Sequence, residues 1–529
     1  MTGRMSRRRF LGATALGVGA AAVGGWSWAD GLLTPGQPGR VLPSAVPLPR
    51  PYEVRLPIPP VLTPTHSDAN TDYYEITQKS ASLRILPGLD TPAWTYGGTF
   101  PGPTLISTSG RRAVVTHRNE LDRPVVVHLH GGHAPYESDG YPTAAILPAG
   151  REPAARDTPG MAGMGGMGAP NPAPSTAVGT YTYTYPMQQR AATLWYHDHH
   201  MGSTGPNVWH GLAGFHLVHD AEEGALPLPR GDRDIPLMLT DRSFAEDGSF
   251  RYPSPGGNPE RSGTTAPYMN GVLGDVILVN GAPWPVLSAD RARYRLRLLN
   301  ASNARRYRLE LHPQPPGGGG LVQIGSDGGL LGRPIAHDAL DVAPGERFDV
   351  VVDFARYAAG TRVQLVNRLG HGSTTSVMRF DLSTSVRTAP DPAQVPSRLA
   401  DIPALETTRA VATRTFLFQR KGDAWTINGR EYQPGRPLAH VRLGTTEVWR
   451  FITDFHHPVH VHLNPFQVVA RNNAAPGSYD GGWKDTVDLR PSESVEVVTR
   501  FTDYAGSFML HCHNLEHEDM AMMGDFVTE

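Results

Sequence analysis

A single cysteine, Cys512, stands in a chain of 529 residues, so no intramolecular disulfide framework holds it together. Export cannot be argued from cysteine pairing either. Charge is also scarce, at 19% of residues, and nearly balanced, with Lys+Arg 48 against Asp+Glu 50. A net charge of −2 offers no electrostatic case for nucleic acid or for an anionic membrane surface. The apolar run Ala13 to Gly25 is short and rich in glycine and alanine, which argues against a membrane span. Glycine (58) and proline (49) are plentiful. That balance suits a loop-rich β architecture with many turns better than long helices. The length fits about three domains.

At the N-terminus, Ser6-Arg7-Arg8-Arg9-Phe10-Leu11-Gly12 resembles a twin-arginine signal. Ser27-Trp28-Ala29 offers a small-x-small cleavage site after the apolar run. Residues 1–29 are expected to be a signal segment. The mature protein is expected in the periplasm, the cell envelope or outside the cell.

Residues 30–222 read as a first β unit, with a proline-rich lead-in from Gly36 to Pro64. A low-complexity loop at 157–179 carries Met161, Met164 and Met167 among glycines, alanines and prolines. A second unit spans 223–385, and a linker with a third unit spans 386–529. An internal repeat joins the last two. Thr426-Ile427-Asn428-Gly429 echoes Leu278-Val279-Asn280-Gly281, and Pro491 to Val498 echoes Pro344 to Val351. Strand–turn patterns recur with little helical periodicity, so the fold class is all-β, with three related sandwiches.

The chemistry concentrates in four histidine clusters. His128-Leu129-His130 ends a valine-rich run, and His197-Asp198-His199 follows Leu194-Trp195-Tyr196. In a strand, a spacing of two puts both imidazoles of each pair on one face. His457-Pro458-Val459-His460-Val461-His462 is the third cluster. The fourth is His511-Cys512-His513, with His517 and Met522 spaced behind it. In extended backbone Cys512 faces one way and its two neighbours the other. Cys512, His517 and Met522 then suit one metal site, while His511 and His513 serve another. Thiolate, imidazole and a weak axial thioether describe a blue-copper centre. Structural zinc prefers a closed set of four ligands, often with several thiolates, and would use few of these groups. Two histidines at the thiolate copper leave eight of the ten. That is enough for three further copper ions able to hold dioxygen.

Together these motifs resemble the three-domain multicopper oxidases, in the branch of bacterial laccases, spore-coat laccases and bilirubin oxidases. Trp483-Lys484-Asp485-Thr486-Val487 and Asn300-Ala301-Ser302-Asn303 add to the likeness. The resemblance implies three cupredoxin-like Greek-key domains and four copper ions. Cys512, His457 and His517 would ligate a type 1 copper, with Met522 axial. His128 and His460 would hold the type 2 copper. His130, His197, His199, His462, His511 and His513 would hold the type 3 pair, between the first and third domains. The middle domain would act as a spacer. Glu518 and Asp139 resemble acidic positions that deliver protons to dioxygen. Small aromatic donors, phenols and aromatic amines, would dock near His457, with dioxygen as acceptor. Cu(I) is the alternative donor, suggested by the thioethers of Met161, Met164 and Met167. A copper-free structural protein of the same fold is a remoter alternative, since such relatives lack ligands that this chain keeps. His133, His200 and His456 read as surface histidines.

Cys512→Ser is expected to abolish blue colour and donor oxidation while leaving the fold and much of the trinuclear copper in place. Visible spectroscopy, copper analysis and circular dichroism of one preparation check all three.

Overall fold

The computed structural model describes residues 37–151, 176–385 and 391–529. The signal segment and Met161, Met164 and Met167 lie outside these. Six main sheets pair off along the chain. In the first unit, Thr71–Leu83 lies parallel to Arg112–Asn119, which also pairs with Thr180–Tyr185. The facing sheet orders Gly102–Thr108, Ala213–His219, Ala192–Asp198 and Val127–His130. The middle unit has a seven-stranded and a five-stranded sheet, and the last unit has two five-stranded sheets. Parallel neighbours recur at Gly102–Thr108 with Ala213–His219 and at Ala410–Lys421 with Thr446–Thr453. These neighbours are far apart in sequence and need crossover connections from sheet to sheet. Among the described residues, no helix is long and apolar enough to cross a membrane.

Alternation sets the cores. In Thr180–Tyr185, Tyr183 and Tyr185 are buried while the threonines face outward. In the last unit Phe416, Phe418, Trp449, Phe451 and Val497 fill one core, together with Cys512 and Met522. The repeat seen in the sequence is a repeated turn. Asn280 and Asn428 both take positive φ (51° and 53°) ahead of Gly281 and Gly429. Asparagine–glycine suits such a hairpin turn because both residues tolerate left-handed backbone. Each asparagine side chain also accepts a backbone N–H at 2.8 Å, from Met238 and from Leu417.

The proline-rich lead-in reaches into the middle unit. Arg40–Leu42 pairs in parallel with Val272–Gly274, and Leu42 is buried in the core of the middle unit.

Candidate metal centres

Strand register assembles the ligand motifs. Val127–His130 runs antiparallel to Ala192–Asp198, with His128 opposite His197. In the last unit His457–Val461 runs antiparallel to Gly506–Cys512, with His460 opposite His511 and Val459 opposite Cys512. Each pairing joins two motifs that are distant in sequence. Packing of the first unit on the last then brings His128 Nε2 to 3.4 Å from His460 Nε2. The His128 and His462 rings stack at 3.9 Å.

Cys512 does face away from its neighbours. Its Sγ lies 3.3 Å from His457 Nδ1 and 3.5 Å from His517 Nδ1. Met522 is buried in the same core, and its backbone holds the loop: Cys512 N–H donates to the Met522 carbonyl, and Met522 N–H to that of His517. On the other side, His511 Nε2 lies 3.2 Å from His462 Nε2, and the His513 ring sits 4.9 Å from that of His130. All ten histidines are buried. The structure thus gathers the ten histidines and Cys512 into two groups joined at Cys512, with Met522 buried in the core around the thiol.

The donor sets fit a metal. His457, Cys512 and His517 each offer an atom within 4.8 Å of the others, as do His199, His462 and His511, and His128, His460 and His462. His197 Nε2, His199 Nε2 and both nitrogens of His513 have no hydrogen-bond partner among the described residues, although fully buried. Buried polar atoms are normally satisfied. Imidazole nitrogens facing each other at 3.2–3.4 Å have the same need for a shared cation. Burial pushes the pKa values of His128, His130, His462, His513 and His517 well below the ordinary imidazole value, and neighbouring imidazoles push the same way. Neutral imidazoles are the form that binds metal. Burial also raises the Cys512 thiol, so without a cation it stays protonated.

Carboxylates back the imidazoles. Asp139 Oδ2 lies 2.7 Å from His462 Nδ1, and its carbonyl 2.5 Å from His128 Nδ1. Glu518 reaches His199 Nδ1 at 3.2 Å and His511 Nδ1 at 3.1 Å. Such contacts orient a ligating ring and fix its tautomer. Burial drives the Asp139 carboxyl well above its usual range. At Glu518 burial acts the same way, but His511 and His199 outweigh it and hold the carboxyl low.

Asp485, marked in the sequence only by its place in the Trp483 to Val487 segment, lies 3.0 Å from His130 Nε2 and 3.5 Å from His460 Nδ1. Arg347 of the middle unit grips both its oxygens. Burial pushes Asp485 up, but Arg347 and His130 overcome this and hold it well below the carboxylate range. Trp425, also missed, stacks on His517 with ring centroids 3.8 Å apart. A charged residue inside a strand-like run was the available signal for Arg347; nothing local marked Trp425. His133 is not a free surface residue: its Nε2 lies 2.9 Å from Asp503.

Family models described as multicopper oxidase match residues 77–152 and 155–223, and again 405–529. A laccase of Bacillus stratosphericus is 36% identical, over 88% of this chain and 97% of its own length. The chain belongs to the multicopper oxidases. A bilirubin oxidase of Albifimbria verrucaria is 35% identical, over 90% of this chain and 81% of its own. A crystal structure of a laccase from Pediococcus acidilactici aligns at TM-score 0.77 and 31% identity, covering 93% of this chain and 96% of that one. Membership makes copper the metal of this multicopper oxidase and confirms its cupredoxin-like domains.

Arg347→Ala leaves Asp485 buried and uncompensated. The variant is expected to lose about 3–5 kcal/mol of stability and to retain copper poorly at the imidazole cluster. Denaturant unfolding and copper analysis after dialysis check this.

Proposed function

We propose that this oxidase is laccase-like. It takes single electrons from phenols and aromatic amines and returns them, with protons, to dioxygen as water. The observation that carries the reading is the junction at Cys512: its sulfur faces His457 and His517, while its covalent neighbours His511 and His513 lie in the cluster of eight imidazoles. The relatives named laccase and bilirubin oxidase support an aromatic donor.

Cys512, His457 and His517, with Met522 beside them, would hold a type 1 copper. His128 and His460 would hold a type 2 copper, and His130, His197, His199, His462, His511 and His513 a type 3 pair, for four ions in all. Bound there, copper supplies one-electron redox at the thiolate and the reducing electrons for dioxygen at the imidazoles. The backbone from Cys512 to His511 and His513 provides a short covalent path between the sites. Burial keeps the imidazoles neutral and water out, which also confines reactive oxygen.

Water formation needs protons at the cluster. Glu518 touches ligands from two motifs, and a cavity of about 420 Å³ lined by His200, Met201, Asp519 and Met520 opens beside it. Glu518 is therefore assigned to proton delivery, with Asp139 doing the same behind His128 and His462. Export through the twin-arginine signal completes the proposal.

The purified protein is expected to hold about four copper ions with an intense blue thiolate band. A colourless protein that binds only zinc would sink the reading. Glu518→Gln is expected to lower turnover by about 10²–10⁴-fold with copper content and colour unchanged; wild-type turnover in that variant would remove Glu518 from the proton path.

A further inference from the structure

Both imidazoles at Cys512 are closed to solvent: His457 is 0% and His517 1% exposed. A donor docked near His457 therefore touches neither ring, and its electron must cross an intervening side chain. Trp425 is buried against both. Its indole stacks on His517 at 3.8 Å and 27°, and meets His457 edge-on at 5.6 Å. It is fixed from the middle unit, since Trp425 Nε1–H donates to the Met269 carbonyl at 3.2 Å. Outward lie Phe455, edge-on at 5.9 Å, and the Arg420 guanidinium, 5.6 Å from the ring centroid. Phe455 is half-buried, and the Arg420 side chain is 29% exposed.

Resting on the laccase-like reading, we propose that Trp425 is the bridge through which electrons pass from a donor docked over Phe455 and Arg420 to His517. Stacking gives the indole and imidazole broad π contact. The Arg420 cation attracts the filled indole face and disfavours a positively charged indole. Trp425 thus couples the two sides and is itself neither oxidised nor reduced. The donor phenol gives up one electron across it and its hydroxyl proton to water.

A competing route runs through Asp454. His457 Nε2 lies 3.2 Å from Asp454 Oδ1, and the Asp454 side chain is a third exposed. Arg420 N–H donates to the other oxygen of Asp454 at 2.7 Å, so the two routes open on one face. The hydrogen-bonded carboxylate has no π system and touches only His457; the indole touches both imidazoles.

The test uses the copper-loaded enzyme without oxygen, following bleaching of the blue band by a methoxyphenol. Trp425→Leu is expected to slow bleaching about tenfold, a barrier change readable from the rate ratio, with Trp425→Phe restoring most of it and Asp454→Asn slowing it less than Trp425→Leu does. Bleaching at the wild-type rate in Trp425→Leu, or slowing confined to Asp454→Asn, overturns the proposal. Should Trp425→Leu fail to load copper, Trp425→Phe decides together with a readout independent of turnover. Tryptophan emission should fall when copper binds the wild-type protein and fall less in Trp425→Phe. Equal quenching in the two proteins overturns the proposal. Absence of a blue band from the wild-type protein would instead count against the copper reading itself.

Discussion

Four consecutive residues of one helical turn hold this molecule together at its centre. In Leu515–Asp519, successive side chains fan out by about 100°, and here each finds a different destination. Glu516 accepts from Asn303 and Tyr252 side chains and from Val272 N–H, all in the middle unit. His517 turns to Cys512. Glu518 lies against His199 and His511. Asp519 accepts the N–H groups of Thr204 and Gly205 in the first unit. All four are buried, so each polar group needs its partner in place. The turn can form its full set of contacts only when three units are packed around it.

The middle unit is more than a spacer. Through Asp327, Glu346 and Arg347 it surrounds Lys484 and Asp485, the residues next to strand Thr486–Leu489. Lys484 lies 3.0 Å from Asp327 and is wholly buried, and those anions, against the pull of burial, keep its ammonium charged. Asp485 then presents its carboxylate to His130 and His460, one imidazole from each outer unit. Breaking such a network exposes a buried charge to an apolar interior, which costs far more than a surface pair is worth. The middle unit therefore shapes the imidazole cluster through its neighbours.

The cluster itself is a concentration of unsatisfied polar atoms. Facing imidazoles without protons between them, and ring nitrogens without partners, destabilise a protein that lacks a cation. Binding free energy from the metal offsets that cost and so becomes part of the folded state's stability.

Much of this was legible in the residues alone. Alternating runs and asparagine–glycine turns report an all-β chain, since both are read from neighbours in sequence. His-x-His and His-Cys-His spacing likewise fixes which side chains share a face, because a strand has a period of two. The three-unit plan and the ligand inventory follow from such local rules. What lay beyond reach was every contact made across units. His128 meets His460 over 332 residues, and Arg347 meets Asp485 over 138. Trp425 covers His517, and the lead-in strand Arg40–Leu42 joins the middle unit. These depend on sheet register and on how whole units pack. A motif's spacing carries the direction of its side chains but not the identity of what they face. The residues determined that copper ligands were present; only tertiary packing decided which faced one another, what orients them, and which side chain separates them from solvent.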